Sequence, residues 1–96
     1  MEPRFFVYMM TNDRQTALYA GVTSNLVQRV QQHRTHVIPG FSARYNLDKL
    51  VFYEEVPDVA AAIAREKQIK GGSRRKKVML IDAANPDWRN LYGDLL

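Results

Sequence analysis

Apolar positions cluster in two short runs before residue 23 and in wider-spaced repeats after it. The first run, "RFFVYMM", is rich in aromatic residues and is closed by Thr11-Asn12-Asp13; the second, "ALYAGV", follows a polar loop. Both read as strands, and residues 5–22 together read as a hairpin with a longer loop. Side chains alternate along a strand, so Phe6 and Tyr8 share one face, and Tyr19 and Gly21 share one face of the partner.

Beyond the hairpin the pattern turns helical. Thr23 or Ser24 is the expected cap of a helix reaching about His36, with Pro39-Gly40 as its stop. A loop carrying Phe41, Arg44 and Tyr45 leads to "KLVFYEEV", a third strand. Pro57-Asp58 opens a second helix with Asp58 as cap, and Gly71-Gly72 ends it. Ser73 caps a third helix to about Ala84, where Asn85-Pro86 breaks it. A short tail with Trp88 and Tyr92 is expected to pack back on the domain. The order β-β-α-β-α-α predicts an α/β chain of the α+β kind: a small three-stranded, mainly antiparallel sheet flanked by helices.

Several polar residues fall on faces expected to be apolar. At 100° per residue, Leu26, Val30 and Val37 form one stripe of the first helix, His33 falls inside it and Arg29 on its edge. Residues four apart are neighbours, so Arg29 and His33 can act on one ligand. On the second helix Val59, Ile63 and Ile69 mark the expected buried face, and Glu66 lies between the two isoleucines. A buried carboxylate is costly unless paired, protonated or bound to a cation. Two readings follow. Glu66 pairs with Arg29 or His33 across the core, or a polar pocket at the sheet surface gathers an arginine, a histidine, an acid and the phenols of Tyr8 and Tyr19. Taken singly, Gly21 reads as a turn or tight-packing residue and the tyrosines as core; only the set points to a site.

Charge sharpens this picture. The chain has 96 residues, a net charge of +4 and a sequence pI near 9.6. A basic excess favours a phosphate-rich partner. Arg74, Arg75, Lys76 and Lys77 fill the first turn of the third helix, where cations oppose the helix dipole. A phosphate docked there reverses that cost. Lys67 and Lys70 lie just upstream, and Arg44 adds a cation in the loop before the third strand. Residues 1–96 are expected to form one domain. The absence of cysteine excludes thiolate zinc sites and cysteine nucleophiles and suits the cytoplasm. No apolar stretch approaches the length of a membrane span. His33 and His36 are a weak basis for a metal pair, and neither glycine-rich phosphate-loop pattern occurs.

The ordered set resembles the GIY-YIG nuclease domain, specifically its small standalone bacterial members. Phe6-Val7-Tyr8 corresponds to the first family tripeptide and Tyr19-Ala20-Gly21 to the second. Arg29, His33 and Glu66 correspond to the helical arginine, to its partner four residues later (His or Tyr in the family) and to the acidic metal ligand. Phe6 replaces the leading Gly, Ala20 the middle Ile, and Val22 a basic residue common after the second Gly. Asn85 and Asn90 are candidates for a late asparagine of the family. The resemblance implies a DNA endonuclease or nickase using one divalent cation, Mg²⁺ or Mn²⁺, with Glu66 as ligand. Arg29 would neutralise phosphoryl charge, Tyr19 would act as base with help from His33, and Tyr8 would hold the pocket or the water. Gly21 would be structural at the site. Arg44, Lys67, Lys70, Arg74, Arg75, Lys76 and Lys77 are the expected nucleic-acid contacts, to DNA rather than RNA, and DNA repair is one setting for such an activity. The alternatives are a nucleic-acid-binding module with little or no catalysis, and a domain that acts through a protein partner for targeting.

Overall fold

The computed structural model describes residues 4–37, 40 and 44–96. Strand β1 spans Phe5–Thr11, β2 Leu18–Thr23 and β3 Lys49–Val56. They form one antiparallel sheet in the order β2-β1-β3, with Tyr8 opposite Gly21 on one side and Tyr53 on the other. The hairpin loop is held by Asn12, whose Oδ1 accepts from the Thr16 and Ala17 amides. Helix α1 covers Leu26–Arg34, α2 Val59–Gly71 and α3 Arg74–Ala84, and a 3₁₀ turn closes the chain at Leu91–Leu95. The α+β architecture and its element order are those the sequence predicts.

Caps explain most boundaries. Asp58 accepts from the Ala61 amide and Ser73 from the Lys76 amide, as expected of N-caps. The cap of α1 is a correction: it is Asn25, which accepts from Gln28 N, rather than Thr23 or Ser24. Thr23 remains in the strand, and its hydroxyl turns the chain by bonding the Asn25 amide and carbonyl. Helix α1 also ends earlier than expected. Thr35 is its C-cap and His36 takes φ +59, so Val37 leaves the apolar stripe and is 64% exposed. Pro39 and Phe41 lie outside the described residues.

The sheet is covered on both faces. Val7, Met9, Ala20 and Phe52 face α2 and α3, against Ala62, Ile69 and Ile81. Tyr8, Met10 and Leu50 face α1, against Leu26 and Val30, with Leu91 and Tyr92 of the tail on the same side. Trp88 packs on the first cluster, so the tail docks on the domain as predicted. Helix α2 departs from expectation. Its buried residues are Ala62 and Ile69, whereas Val59 and Ile63 are exposed. The small Ala62 lets α2 lie close to the sheet, and Arg65 beside it makes a two-pronged ion pair with Glu54 of β3, at 2.9 Å in each arm.

Strand β3 carries a register shift between the partners of Met9 and Met10, which leaves Val51 as the extra residue. Buried Asn85 serves that irregularity. Its Nδ2 donates to the carbonyls of Val51 and Arg89, and its Oδ1 accepts from Arg89 N. Asn90 accepts from the amides of Leu50 and Tyr92. Both asparagines therefore fasten the tail to β3.

Candidate active site

Tyr8 is fully buried because Gly21, its cross-strand partner, has no side chain. A Cβ at residue 21 would lie 2.7 Å from the Tyr8 hydroxyl and 2.8 Å from its Cζ. The phenol lies in the space over Gly21 and reaches α1, where its hydroxyl shares a 2.8 Å hydrogen bond with His33 Nε2. Tyr19, two residues along β2 and on the same face, completes the group. Its ring centroid is 5.1 Å from that of His33 and 6.2 Å from that of Tyr8. Helix period places Arg29 one turn before His33, and its guanidinium, like the Tyr19 side chain, interacts with the Tyr8 hydroxyl.

The electrostatics of this group favour neutral rings. Burial pushes the Tyr8 phenol well above its ordinary value, with Tyr19 adding to the effect and Arg29 opposing it. Tyr8 therefore stays protonated. Burial, reinforced by the Arg29 charge, pushes His33 down to about 4. A consequence for stability follows from that shift. Below its ordinary value of 6.5 the unfolded chain protonates His33, while the folded chain holds it neutral to about 4. Its contribution is thus complete above 6.5, declines as pH falls through that interval and levels off below 4. The expected loss is on the order of 3 kcal/mol. Urea unfolding between pH 7 and pH 4 should show a shallower decline for His33→Gln than for the wild type. Parallel profiles would remove the assignment.

Glu66 does not pair with Arg29 or His33 in the way the core reading expected. Its Oε1 lies 3.1 Å from Lys70 Nζ, with the Glu66 side chain 24% exposed and the Lys70 side chain 49% exposed. Nor does Glu66 share a sheet face with the phenols. It projects from α2, which covers the face opposite Tyr8, Tyr19 and His33. The two halves meet around the edge of the sheet at β2. Lys70 Nζ sits 5.7 Å from the Tyr19 ring centroid, so one ammonium touches both the carboxylate and the more accessible phenol. A shallow groove of about 280 Å³ opens there, lined by Leu18, Tyr19, Ala20, Lys70 and Lys77. The expectation of a pocket on one sheet surface is corrected: the acid and the phenols lie on opposite sides of edge strand β2 and approach each other around it through Lys70.

The basic residues divide into two groups. Arg74 donates to the carbonyls of Gln15, at 2.7 Å, and Thr16, at 3.4 Å, and so ties α3 to the hairpin loop. Lys77 Nζ donates to the Gly72 carbonyl at 3.0 Å. These carbonyl partners explain why two cations are tolerated in the first turn of α3. Both also line a second groove with Thr16, Leu18 and Tyr45, which adjoins the first at Leu18 and Lys77. The Arg44 guanidinium lies 5.7 Å from the Tyr45 ring centroid. Lys67, Arg75 and Lys76 are exposed. Lys76 lines a cleft of about 480 Å³ between α2 and α3, with Arg65, Ile69 and Leu80; it borders the grooves at Lys77, and among the described residues no acid, histidine or tyrosine lines it. The sequence places Lys70 only among the phosphate contacts; its i+4 spacing from Glu66 is the signal that also predicts the ion pair.

This fold and this grouping of side chains are accompanied by a match to the model of the GIY-YIG catalytic domain. The family's model matches residues 4–79, and the chain belongs to this nuclease family. Its relatives include a UPF0213 protein of Syntrophus aciditrophicus, 35% identical over 86 residues that cover 85% of this chain and 93% of the relative. A UPF0213 protein of Desulfotalea psychrophila is 31% identical over 94 residues, covering 94% and 82% of the two chains. The solution NMR structure of a UPF0213 protein from Bacillus halodurans has the same fold, with a TM-score of 0.58 at 23% identity over 91% of this chain and 92% of that one.

Proposed function

We propose that the chain is a divalent-cation-dependent endonuclease or nickase acting on DNA phosphodiesters. The observation that carries this reading is the Lys70 ammonium, which joins Glu66 to the tyrosine group at one solvent-open edge. The donor set fits a hard cation of the magnesium type. Among the described residues no group of three or more His, Cys, Asp and Glu could cage a metal. His33 is engaged with Tyr8 and His36 lies beyond the end of α1, so a histidine pair is not offered. A half-buried carboxylate such as Glu66 suits Mg²⁺ or Mn²⁺, which keep several waters and take phosphate oxygens as ligands. When bound, such an ion supplies charge stabilisation for the phosphoryl group and the leaving oxygen.

The chain's own residues divide the remaining work. Arg29, fixed one turn from His33 and beside the Tyr8 hydroxyl, neutralises charge growing on the phosphoryl oxygens. Tyr8, kept protonated by burial, is a hydrogen-bonding anchor rather than a base. Proton removal from the attacking water therefore falls to Tyr19, the phenol that lines the open groove. His33, neutral above about pH 4, orients both rings. The grooves leading from Tyr19 past Lys77 to Arg74 and Tyr45 give the nucleic-acid backbone a cationic track.

The test is a cleavage assay with plasmid, forked and single-stranded DNA, with and without Mg²⁺ or Mn²⁺. Metal-dependent nicking supports the proposal; no cleavage anywhere in the panel selects the binding module instead. Affinity for duplex DNA should fall with salt on a log–log slope of about −4, the signature of about four phosphate contacts. A flat salt response points to a protein partner.

A further inference from the structure

We propose that Lys70 is the resident counter-cation of the Glu66 site, and that a divalent ion binds Glu66 by exchanging with this ammonium, which then passes to the nucleic-acid phosphate. The inference rests on the nuclease reading and deepens it by naming what controls metal loading.

Two contacts place Lys70 between alternative partners. Its Nζ is 3.1 Å from Glu66 Oε1, the position in which it satisfies the carboxylate. The same ammonium stands 5.7 Å from the centroid of Tyr19 and lines the groove that Tyr19 and Lys77 share. A short rotation of a flexible four-carbon stem therefore carries the charge off the acid and toward a phosphate in the groove that Lys70 already lines. The stem permits this, because the Lys70 side chain is half-exposed.

The exchange follows from charge. An ammonium against Glu66 and a dication on Glu66 cannot coexist at contact distance without strong repulsion. A dication must displace Lys70, and the displaced charge needs a new counter-ion. A phosphate in the groove is one, and it is brought by the substrate. Residue 22 is Val, so β2 supplies no cation just after Gly21, and the ammonium reaches this edge from α2 instead. Loading of the ion and of the nucleic acid are then coupled through one side chain, and the apo protein avoids an uncompensated half-buried carboxylate.

Mn²⁺ binding, read directly by electron paramagnetic resonance without nucleic acid, tests this on the full chain. Lys70→Met removes the competing charge and should tighten Mn²⁺ roughly three- to tenfold. Lys70→Arg keeps the charge and should bind Mn²⁺ like the wild type. Glu66→Gln should abolish site binding in either background. An unchanged or weaker Mn²⁺ affinity in Lys70→Met, with Glu66→Gln still abolishing binding, overturns the exchange and leaves the nuclease reading standing. Wild type and Glu66→Gln that bind Mn²⁺ equally weakly overturn the metal site itself. Circular dichroism of each variant separates these outcomes from unfolding, since the i,i+4 pair contributes little to stability.

Discussion

Replacing Glu66 with glutamine should lower Mg²⁺-dependent nicking by about 10³-fold or more while leaving the melting temperature within about 2 °C of wild type. The two halves of this expectation rest on different observations. Stability is spared because Glu66 is a partly exposed side chain whose partner is an i,i+4 lysine, and such pairs contribute about 0.3–0.5 kcal/mol. Glutamine keeps the volume and the helix propensity. Activity is lost because, among the described residues, no cluster of three or more His, Cys, Asp and Glu offers the cation another cage, so the charge stabilisation of several kcal/mol that the cation provides disappears with the carboxylate. Nicking by Glu66→Gln within tenfold of the wild type at saturating Mg²⁺ contradicts the assigned role. A matched Glu54→Gln control breaks the ion pair with Arg65 and should cost stability without comparable loss of activity, because Glu54 lies opposite Val7, on the sheet face away from Tyr8 and Tyr19.

Gly21→Ala carries the second large effect, and it acts on both fold and site. The added methyl would stand 2.7 Å from the Tyr8 hydroxyl and 3.0 Å from its Cε1, closer than non-bonded carbon tolerates. Relief is not available in the usual way. The phenol is the far end of a side chain, but it is fully buried, hydrogen-bonded to His33 and flanked by Tyr19. Moving it breaks the Tyr8–His33 bond and disturbs the Arg29 guanidinium beside it. Overpacking of this kind costs about 1–3 kcal/mol, and misplacement of the anchor should reduce nicking by about 10²-fold. Tyr8→Phe removes the nearest clashing atom. The double variant Gly21→Ala/Tyr8→Phe should therefore be less destabilised than the sum of the single changes, by about 0.5 kcal/mol or more in urea unfolding. Strict additivity, or a Gly21→Ala protein as stable as wild type, would show that the ring does not occupy the space over residue 21.

The short apolar runs "RFFVYMM" and "ALYAGV", the capping side chains Asp58 and Ser73, and the stops at Gly71-Gly72 and Asn85-Pro86 determine the elements by themselves. Each is a local rule of side-chain period or backbone hydrogen bonding, and each matches the structure within a residue or two. Local rules failed where two polar residues competed for one job. Asn25 took the cap from Thr23 and Ser24 because an amide oxygen reaches Gln28 N while the threonine hydroxyl is held by the turn itself.

Tertiary structure decided the rest. In "VAAAIAREKQIKG" apolar residues surround the first two turns, so helix period selects no unique face. Contact with the sheet chose Ala62 and Ile69, left Val59 and Ile63 outside, and still kept Glu66 at the margin of the buried strip. Period-two alternation likewise puts Phe6 with Tyr8 and Tyr19 with Gly21 on their own strands, but says neither that Tyr8 and Tyr19 share a sheet face nor which helix covers it. Only the packing of α1 on that face and α2 on the other brings His33 to the phenols and leaves Glu66 to meet them around β2. Short-range patterns report the direction in which each residue points along its own element. Long-range packing sets which elements become neighbours, and it alone joins the two halves of this site.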